Sequence, residues 1–462
     1  MRLIMKLENW IRDNEENFVH DVSDLVCIRS VSRLGGGPGS PFGEGCRKAL
    51  DRFLAISKRD NFETEDFSGY CGISEAGAGK FVLGVWNHLD VVPEGSGWSG
   101  DPYTCRMLRR YLIGRGVQDN KGPAIAVHYA MLYCKEEKLL HHIRVKQIAG
   151  CSEENGMHDL RFCSSHMKLP DYSLVADCGF PVCCGEKGKL RLVLIFHGYF
   201  PHIIELHAGE AANIIPGKAY SVVCDDKGNT YRVEADGIEG HAAFPENTKN
   251  SIDVLIGKLL SQEECAVFFT FKEMALLQVL RKFTADGFGT HAGIADKNGV
   301  FGRLTCGVGI LRGNHNEVRA ELDIRYPDEE NVRKTEAEIR NLVNQVDGEV
   351  ILLHHTPVHY VNPNTPMISW LMQVYKKVTG DADMPYVMGG GTYAAGLENA
   401  VGFGAGMKRN FGKLHLLPGH GECHQADEAE SLDNLELAIQ IYVEAFCMID
   451  RMIGQGNHPQ IT

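Results

Sequence analysis

Apolar residues recur at helical spacing near the start of the chain, which predicts helices over 3–29 and 47–59 with a Gly/Pro-rich loop at 34–45 between them. The following segments are short apolar runs suited to buried strands, interrupted by one helical stretch. They predict, in order, strand 81–87, helix 123–136, strand 143–150 and strand 172–177. This alternation predicts an α/β sheet covered on both faces by helices.

After about Lys187 the pattern changes to alternating strands followed by helices, which is typical of a separate α+β domain inserted into the first. The predicted elements are strands 190–197, 219–224 and 230–234, helices 251–260 and 273–282, strand 317–326 and helix 329–345. A helix at 366–379 and a long final helix then return to the first domain. We therefore expect an inserted domain over 187–358 and a first domain made of 1–186 and 359–462.

Composition narrows the function classes. The chain has 462 residues, which favours more than one core, and a formal net charge of −13 without a long basic run, which argues against a nucleic-acid partner. The first twenty residues mix charged with apolar positions, unlike a signal peptide, and no later segment is an apolar run of about 20 residues. We expect a cytoplasmic protein without a membrane partner, whose cysteines are mostly reduced and buried.

Polar residues at the predicted strand ends are the candidate chemistry. His88 follows the strand 81–87, and Asp90, two residues later, lies on the same face and is placed to orient the imidazole. Each of the other candidates also has an ordinary interpretation: Asp119 as a helix N-cap, the pair Glu153 and Glu154 and the strand-end Asp177 as solvated surface, and His424 as a loop histidine.

Together, these residues make a set of imidazole and carboxylate groups that suits zinc, cobalt or manganese. Two such ions about 3.5 to 4 Å apart need a bridging carboxylate and share an activated water. Five ligands and one additional carboxylate meet that requirement. The set therefore fits a site for two divalent ions per chain, and the residue types leave zinc, cobalt and manganese open.

Motifs along nearly the whole chain resemble the metallopeptidase family that contains carboxypeptidase G, aminoacylase, succinyl-diaminopimelate desuccinylase and carnosinase, and most closely its peptidase V type dipeptidases. The matching stretches are P-F-G at 41–43, H-L-D-V-V-P-E-G from His88, G-R-G-V-Q-D-N-K-G-P from Gly114, E-E at Glu153, G-E-K-G from Gly185, N-I-I-P from Asn213, R-Y-P from Arg325 and G-G-G-T-Y-A from Gly389. The resemblance implies a zinc-exopeptidase-like catalytic domain, with a mixed sheet flanked by helices, and an inserted α+β lid domain.

The resemblance also implies roles. Asp119 bridges two metal ions, of which one is held by His88 and Asp177 and the other by Glu154 and His424. It makes Glu153 the general base that acts on a metal-activated water, and it implies a cis peptide bond after Asp119.

The inserted domain contributes the remaining implied roles. His241 in G-H-A-A-F-P stabilises the oxyanion, assisted by Asn213. Arg325 and the backbone amides of Gly390 and Gly391 hold the terminal carboxylate of the substrate.

Two departures from the family pattern stand out. Ala395 replaces the arginine that usually ends G-G-G-T-Y-A-R, and Cys151 and Ser152 precede Glu153 in place of a small and an acidic residue. The leading hypothesis is hydrolysis of dipeptides with a free C-terminal carboxylate. An N-acyl amino acid deacylase and a non-catalytic binding protein are the alternatives, and a monomer is favoured over a homodimer.

Overall fold

The computed structural model describes residues 2–264, 267–457 and 459, with side chains from residue 5 onward. The chain divides into two compact units. The first consists of Met1–Gly185, Tyr360–Tyr386 and Thr392–Thr462, and the second of Glu186–His359 and Val387–Gly391. No helix in the described segments combines the length and the apolar composition needed to cross a bilayer.

The predicted helices lie close to their predicted positions, and the helix at His158–His166 was not predicted. The helices are α1 (Arg2–Val26), α2 (Glu44–Arg59), α3 (Lys121–Glu136), α4 (His158–His166), α5 (Ser251–Ser261), α6 (Phe271–Thr284), α7 (Val332–Asn344), α8 (Pro366–Thr379) and α9 (Leu432–Gly454). The helix predicted to begin at Glu329 begins at Val332 instead. The Asp328 carboxylate accepts the N–H of Glu330 in a turn there, at 2.9 Å, which competes with helical bonding.

The predicted strands are present. Five longer strands were not predicted, at Glu63–Phe67, Cys71–Ala76, Ile203–Ala208, Thr305–Gly313 and Gly348–Thr356, and neither were several pairings of two to four residues. The strands are β1 (Glu63–Phe67), β2 (Cys71–Ala76), β3 (Phe81–His88), β4 (Arg106–Leu108), β5 (Tyr111–Ile113), β6 (Ile143–Gly150), β7 (Tyr172–Val175), β8 (Cys178–Gly179), β9 (Cys183–Glu186), β10 (Gly188–His197), β11 (Ile203–Ala208), β12 (Ile214–Ile215), β13 (Lys218–Cys224), β14 (Thr230–Asp236), β15 (Gly240–His241), β16 (Lys297–Asn298), β17 (Gly302–Arg303), β18 (Thr305–Gly313), β19 (Glu317–Tyr326), β20 (Gly348–Thr356), β21 (His359–Tyr360), β22 (Tyr386–Met388), β23 (Ala400–Gly402), β24 (Ala405–Gly406) and β25 (Ala429–Ser431).

The main sheet of the first unit is mixed, as predicted, in the order β1-β2-β6-β3-β7-β23-β9. The central strands β6, β3, β7 and β23 are parallel, and β1, β2 and β9 are antiparallel to their neighbours. The apolar residues of β3 from Leu83 onward and those of β6 are buried, as are most residues of α3, which explains their continuous apolar runs. Parallel strands end at one edge of the sheet, and that edge is where His88 lies.

The second unit contains an antiparallel sheet in the order β14-β13-β11-β18-β19-β10-β20. Its core is formed by the inner faces of these strands with α5, α6 and α7, and includes Leu192, Phe196, Leu255, Leu277 and Ile339. This arrangement of strands and helices is the α+β domain predicted from the sequence.

A buried histidine in the second unit connects stability with pH. His202 is 6% exposed; its Nδ1 lies 2.8 Å from Glu273 Oε2 and its Nε2 lies 3.0 Å from Asp226 Oδ1. Burial opposes protonation, yet hydrogen bonds to Glu273 and Asp226 raise the pKa of His202 above its usual value. When it is protonated, the imidazole joins two carboxylates in the folded state.

We predict that this histidine stabilises the protein more at low pH. Because the folded pKa is raised, its contribution is complete below the unfolded pKa of about 6.5 and is lost as the pH rises through the folded pKa. The melting temperature of wild type should exceed that of His202→Gln by several degrees near pH 6, and by less near pH 8. A difference that stays constant across this range would contradict the prediction.

Candidate metal centre

The ends of the parallel strands bring the candidate residues to one edge of the sheet. His88 is the last residue of β3 and lies opposite Gly150, the last residue of β6. Glu153 and Glu154 follow β6 directly, and Asp177 lies two residues beyond β7. Asp119 approaches from the segment before α3, through a cis peptide bond to Asn120 that confirms the expected one.

Two groups of potential ligands form at this edge. In the first, His88 Nε2 lies 2.8 Å from Asp119 Oδ1 and 3.7 Å from Asp177 Oδ1. In the second, His424 Nε2 lies 3.0 Å from Asp119 Oδ2 and 3.0 Å from Glu154 Oε1. The potential ligand atoms of each group lie within 4.8 Å of one another. Asp119 belongs to both groups and turns one carboxylate oxygen to each.

The tautomer of His88 supports this arrangement. Its Nδ1 lies 2.9 Å from the main-chain carbonyl oxygen of Asp90 and 3.5 Å from the Asp90 carboxylate. Since a carbonyl oxygen only accepts, Nδ1 carries a proton, and neutral imidazole turns the lone pair of Nε2 towards Asp119. A lone pair and a carboxylate face each other favourably only with a proton or a cation between them.

The pKa values of the carboxyl groups reflect concentrated negative charge. Burial and the charge of Asp177 raise the pKa of Glu153 well above its usual value. Burial also raises the pKa of Asp177 to about 6, and the Asp119 charge adds to the effect. For Asp119 burial is outweighed by the contacts of its carboxylate with the imidazoles of His424 and His88, which lower its pKa. The donor set, imidazole nitrogen with excess buried carboxylate, fits divalent cations.

The Asp90 carboxylate holds the backbone of another loop, which its spacing from His88 did not predict. Its Oδ1 and Oδ2 accept the main-chain N–H groups of Glu153 and Glu154, both at 3.1 Å. Asp90 thus touches His88 mainly through its carbonyl oxygen and holds the backbone of the glutamate pair through its side chain.

A buried ion pair joins the loops of Asp119 and His424. Glu428 Oε1 accepts the N–H groups of Gly116, Gln118 and Asp119 at 2.9 to 3.2 Å, and its Oε2 accepts from Arg115 Nη1 at 2.7 Å. Gln118 adds a bond between the two loops, because its Oε1 accepts the N–H of Cys423 at 2.8 Å. Sequence reasoning missed Arg115, Gln118 and Glu428, although Arg115 and Gln118 lie inside the quoted motif from Gly114.

The remaining candidates lie in the second unit. His241 in β15 is paired with Ile214 in β12, next to Asn213, whose carbonyl oxygen accepts the N–H of Ala242 at 2.8 Å. His241 Nδ1 accepts the N–H of Ala243 at 3.1 Å, which places the proton of neutral imidazole on Nε2.

Arg325 is buried at 4% exposure and belongs to the same neighbourhood. Its Nε and Nη2 donate to the two oxygens of Asp323 at 2.5 and 3.2 Å, and its Nη1 donates to the carbonyl of Gly389 at 3.2 Å. A Cβ placed on Gly389 would lie 3.3 Å from Ala243 Cβ. Arg325, the segment leading to Gly390 and Gly391, and the turn after His241 therefore form one connected group.

Proteins similar in sequence to this chain are named as dipeptidases. "Putative dipeptidase YtjP" of Bacillus subtilis (strain 168) is 28% identical over 95% of this chain and 98% of its own. A Staphylococcus aureus (strain MW2) protein, also named "Putative dipeptidase", is 28% identical over 94% of this chain and 97% of its own.

Solved structures share the fold. Human carnosine dipeptidase 1 matches with a TM-score of 0.60 at 15% identity, over 97% of this chain and 99% of its own. The dipeptidase Dug1p of Saccharomyces cerevisiae matches with a TM-score of 0.61 at 12% identity, over 97% of this chain and 98% of its own. The Bacillus subtilis YXEP protein, described as a dinuclear metal binding peptidase, matches with a TM-score of 0.53 at 9% identity, over 94% of this chain and 99% of its own.

The family model of Peptidase family M20/M25/M40 matches residues 84–447, most of the chain and all of the first unit's candidate ligands. The predicted fold class and the predicted enzyme class, a metal-dependent peptidase, are confirmed. The chain belongs to Peptidase family M20/M25/M40.

Proposed function

We propose that the protein hydrolyses the amide bond of dipeptides that have a free C-terminal carboxylate, with two divalent ions, favouring zinc, at the metal centre. The observation that carries the proposal is the position of Asp119, whose two oxygens lie 2.8 Å from His88 and 3.0 Å from His424. One carboxylate between two ligand groups is the arrangement that a pair of ions requires. His88 and Asp177 would hold one ion, and Glu154 and His424 the other. The names of the dipeptidase relatives support the substrate class.

Glu153 is the group we assign to proton transfer. When bound, the ions polarise the scissile carbonyl and make an attacking water more acidic. Burial raises the pKa of Glu153, so its carboxyl group holds a transferred proton more readily than a solvated one. Glu153 accepts the proton of the attacking water and returns it to the leaving amine nitrogen. Its N–H is held by Asp90, which limits movement of the side chain during this transfer.

The other assigned residues contact the substrate in this proposal. His241 donates from Nε2 to the oxyanion that forms at the scissile carbonyl, because Nδ1 is occupied as an acceptor of Ala243 N–H. Asn213, whose carbonyl oxygen accepts the N–H of Ala242, assists. Arg325 with the amides of Gly390 and Gly391 binds the terminal carboxylate. Asp323 neutralises part of the Arg325 charge, so the substrate is recognised mainly through directed hydrogen bonds.

Loss of the bridging carboxylate should weaken both ion sites. In Asp119→Ala, we expect fewer than one ion per chain after dialysis, against two in wild type, because each site loses an oxygen ligand. Metal analysis of the dialysed proteins measures this. Asp171→Asn is the control, since Asp171 accepts the N–H of Val82 at the beginning of β3, away from the ligands. Retention of both ions by Asp119→Ala would contradict the bridge.

Removing the proposed base should separate catalysis from metal binding. Glu153→Gln should keep two ions per chain and lose about 10²- to 10⁴-fold in kcat, the usual range for general acid and base catalysis. Steady-state kinetics with metal analysis on the same preparation tests this. Glu75→Gln, which changes a glutamate paired with Lys146 on the same sheet, should remain active. Near-normal turnover by Glu153→Gln would place the base elsewhere.

The carboxylate clamp predicts substrate polarity. A free dipeptide should be cleaved at least about tenfold better than its C-terminal amide, because charge-assisted bonds contribute about 1.5 to 3 kcal/mol each. A tripeptide should be cleaved poorly for want of space beyond the clamp. Arg325→Lys should remove most of the preference for the free dipeptide while leaving Asp323 with a cationic partner.

Arg191→Lys is the matched control, because Arg191 pairs with Glu321 on the same sheet at 3.2 Å. Equal rates of wild type on the dipeptide and its amide would refute the clamp. Faster hydrolysis of N-acyl amino acids than of dipeptides would instead identify the protein as a deacylase.

A further inference from the structure

The turn that carries Glu153 and Glu154 is held by its backbone. After β6 ends at Gly150, four consecutive main-chain N–H groups, those of residues 151–154, all donate to carboxylate oxygens. The N–H groups of Glu153 and Glu154 donate to Asp90, as described above. Those of Cys151 and Ser152 both donate to Asp159 Oδ2, at 2.7 and 2.8 Å.

The Asp159 carboxylate is itself held by burial and by several hydrogen bonds. It is 1% exposed, and its Oδ1 accepts the N–H of Leu160 at 2.7 Å. Its Oδ2 accepts a third bond, from the hydroxyl of Tyr393 at 2.5 Å. Tyr393 is fully buried and lies in the G-G-G-T-Y-A stretch, 234 residues away in the sequence. Without these donors a carboxylate in this position would be buried and unsatisfied.

The packing leaves little freedom in the same place. A Cβ on Gly150 would lie 2.1 Å from the Tyr393 hydroxyl oxygen and 2.3 Å from Asp159 Oδ2, so only glycine fits. The carbonyl of Ser152 accepts the N–H of Met157 at 2.7 Å and closes the turn towards α4. The Tyr393 hydroxyl, Asp159 and the backbone of Gly150 are therefore in direct contact immediately before the glutamate pair.

We propose that Asp159 and Tyr393 are positioning residues for Glu153 and Glu154. They act on the backbone of residues 151 and 152 and thereby set the direction in which the next two side chains leave it. A displaced Glu153 transfers protons less efficiently, and small displacements of catalytic groups lower rates strongly. This inference rests on the proposed function for its kinetic consequence, whereas its structural consequence can be measured without any substrate.

Tyr393→Phe is the mildest test, because it removes one hydroxyl from a full-length, metal-loaded protein. Hydrogen exchange of the backbone amides of 151–154, followed by mass spectrometry, should become at least about tenfold faster, since Asp159 loses a partner that orients it. The kcat on a free dipeptide should fall about tenfold, with KM within twofold and two ions retained. Asp159→Asn should have the same effects more strongly, because an amide nitrogen would then face one of the N–H groups.

Two matched variants report a merely structural effect. Tyr129→Phe removes another buried tyrosine hydroxyl that donates to an aspartate, Asp21, at 2.8 Å. Asp450→Asn changes a buried carboxylate that accepts the N–H groups of residues 141–143, at the opposite end of β6. Both should lower thermal stability without changing kcat by more than twofold, and neither should change exchange at residues 151–154.

The outcomes distinguish the inference from the proposed function. Unchanged exchange at 151–154 in Tyr393→Phe would overturn the positioning role even if wild type proved inactive on dipeptides. Faster exchange with an unchanged kcat would overturn it as well. If wild type hydrolyses no dipeptide at all, the proposed function fails, and the exchange measurement alone then decides about Asp159 and Tyr393. Should Asp159→Asn fail to fold, Tyr393→Phe carries the test.

Discussion

Concentrated buried carboxylate charge is the constraint on which the first unit depends. Taking ionised carboxyl groups out of water is costly unless each is paired or accepts hydrogen bonds. The carboxylates that face the centre are compensated by imidazoles and, when bound, by cations. Those behind it are compensated by N–H groups of the main chain. Both kinds of compensation require the strand ends and loops to be in place, so the centre and its supporting fold assemble together. The carboxylates concerned are the buried Asp90, Asp159 and Glu428 and the half-buried Asp119, Glu153, Glu154 and Asp177.

The supporting carboxylates also accept hydrogen bonds from buried main-chain N–H groups. Main-chain N–H groups that leave a sheet without continuing into a helix need acceptors when they are buried. Asp159 and Asp90 supply them after β6, and Glu428 supplies them in the segment before α3. A side chain that accepts several successive amides fixes the path of the loop more tightly than one contact would. Rigid support of this kind keeps catalytic groups in place without relying on the side chains of the loop.

Regular elements were predictable because their signals are local. The strands 143–150 and 317–326 and the helix 366–379 have the predicted bounds, since each is periodic and ends at turn-forming residues. The candidate ligands emerged from strand-end positions and family motifs. The pairs Asp159 with Tyr393 and Arg115 with Glu428 did not, because 234 and 313 residues separate their members. Periodicity and local spacing carry no information about contacts of that range.

The departure from the family pattern at Cys151 and Ser152 becomes understandable in these terms. Cys151 and Ser152 are fully buried, yet what holds the turn there is their N–H groups, which any residue other than proline provides. Exchange of a small and an acidic residue for cysteine and serine therefore leaves the hydrogen bonds from the backbone to Asp159 intact. Gly150 lacks this tolerance, because a Cβ would collide with the Tyr393 hydroxyl. Sequence variation at this edge of the sheet is thus limited by the space next to the backbone and by the carboxylates that accept the backbone N–H groups. It is limited much less by the side chains that precede Glu153.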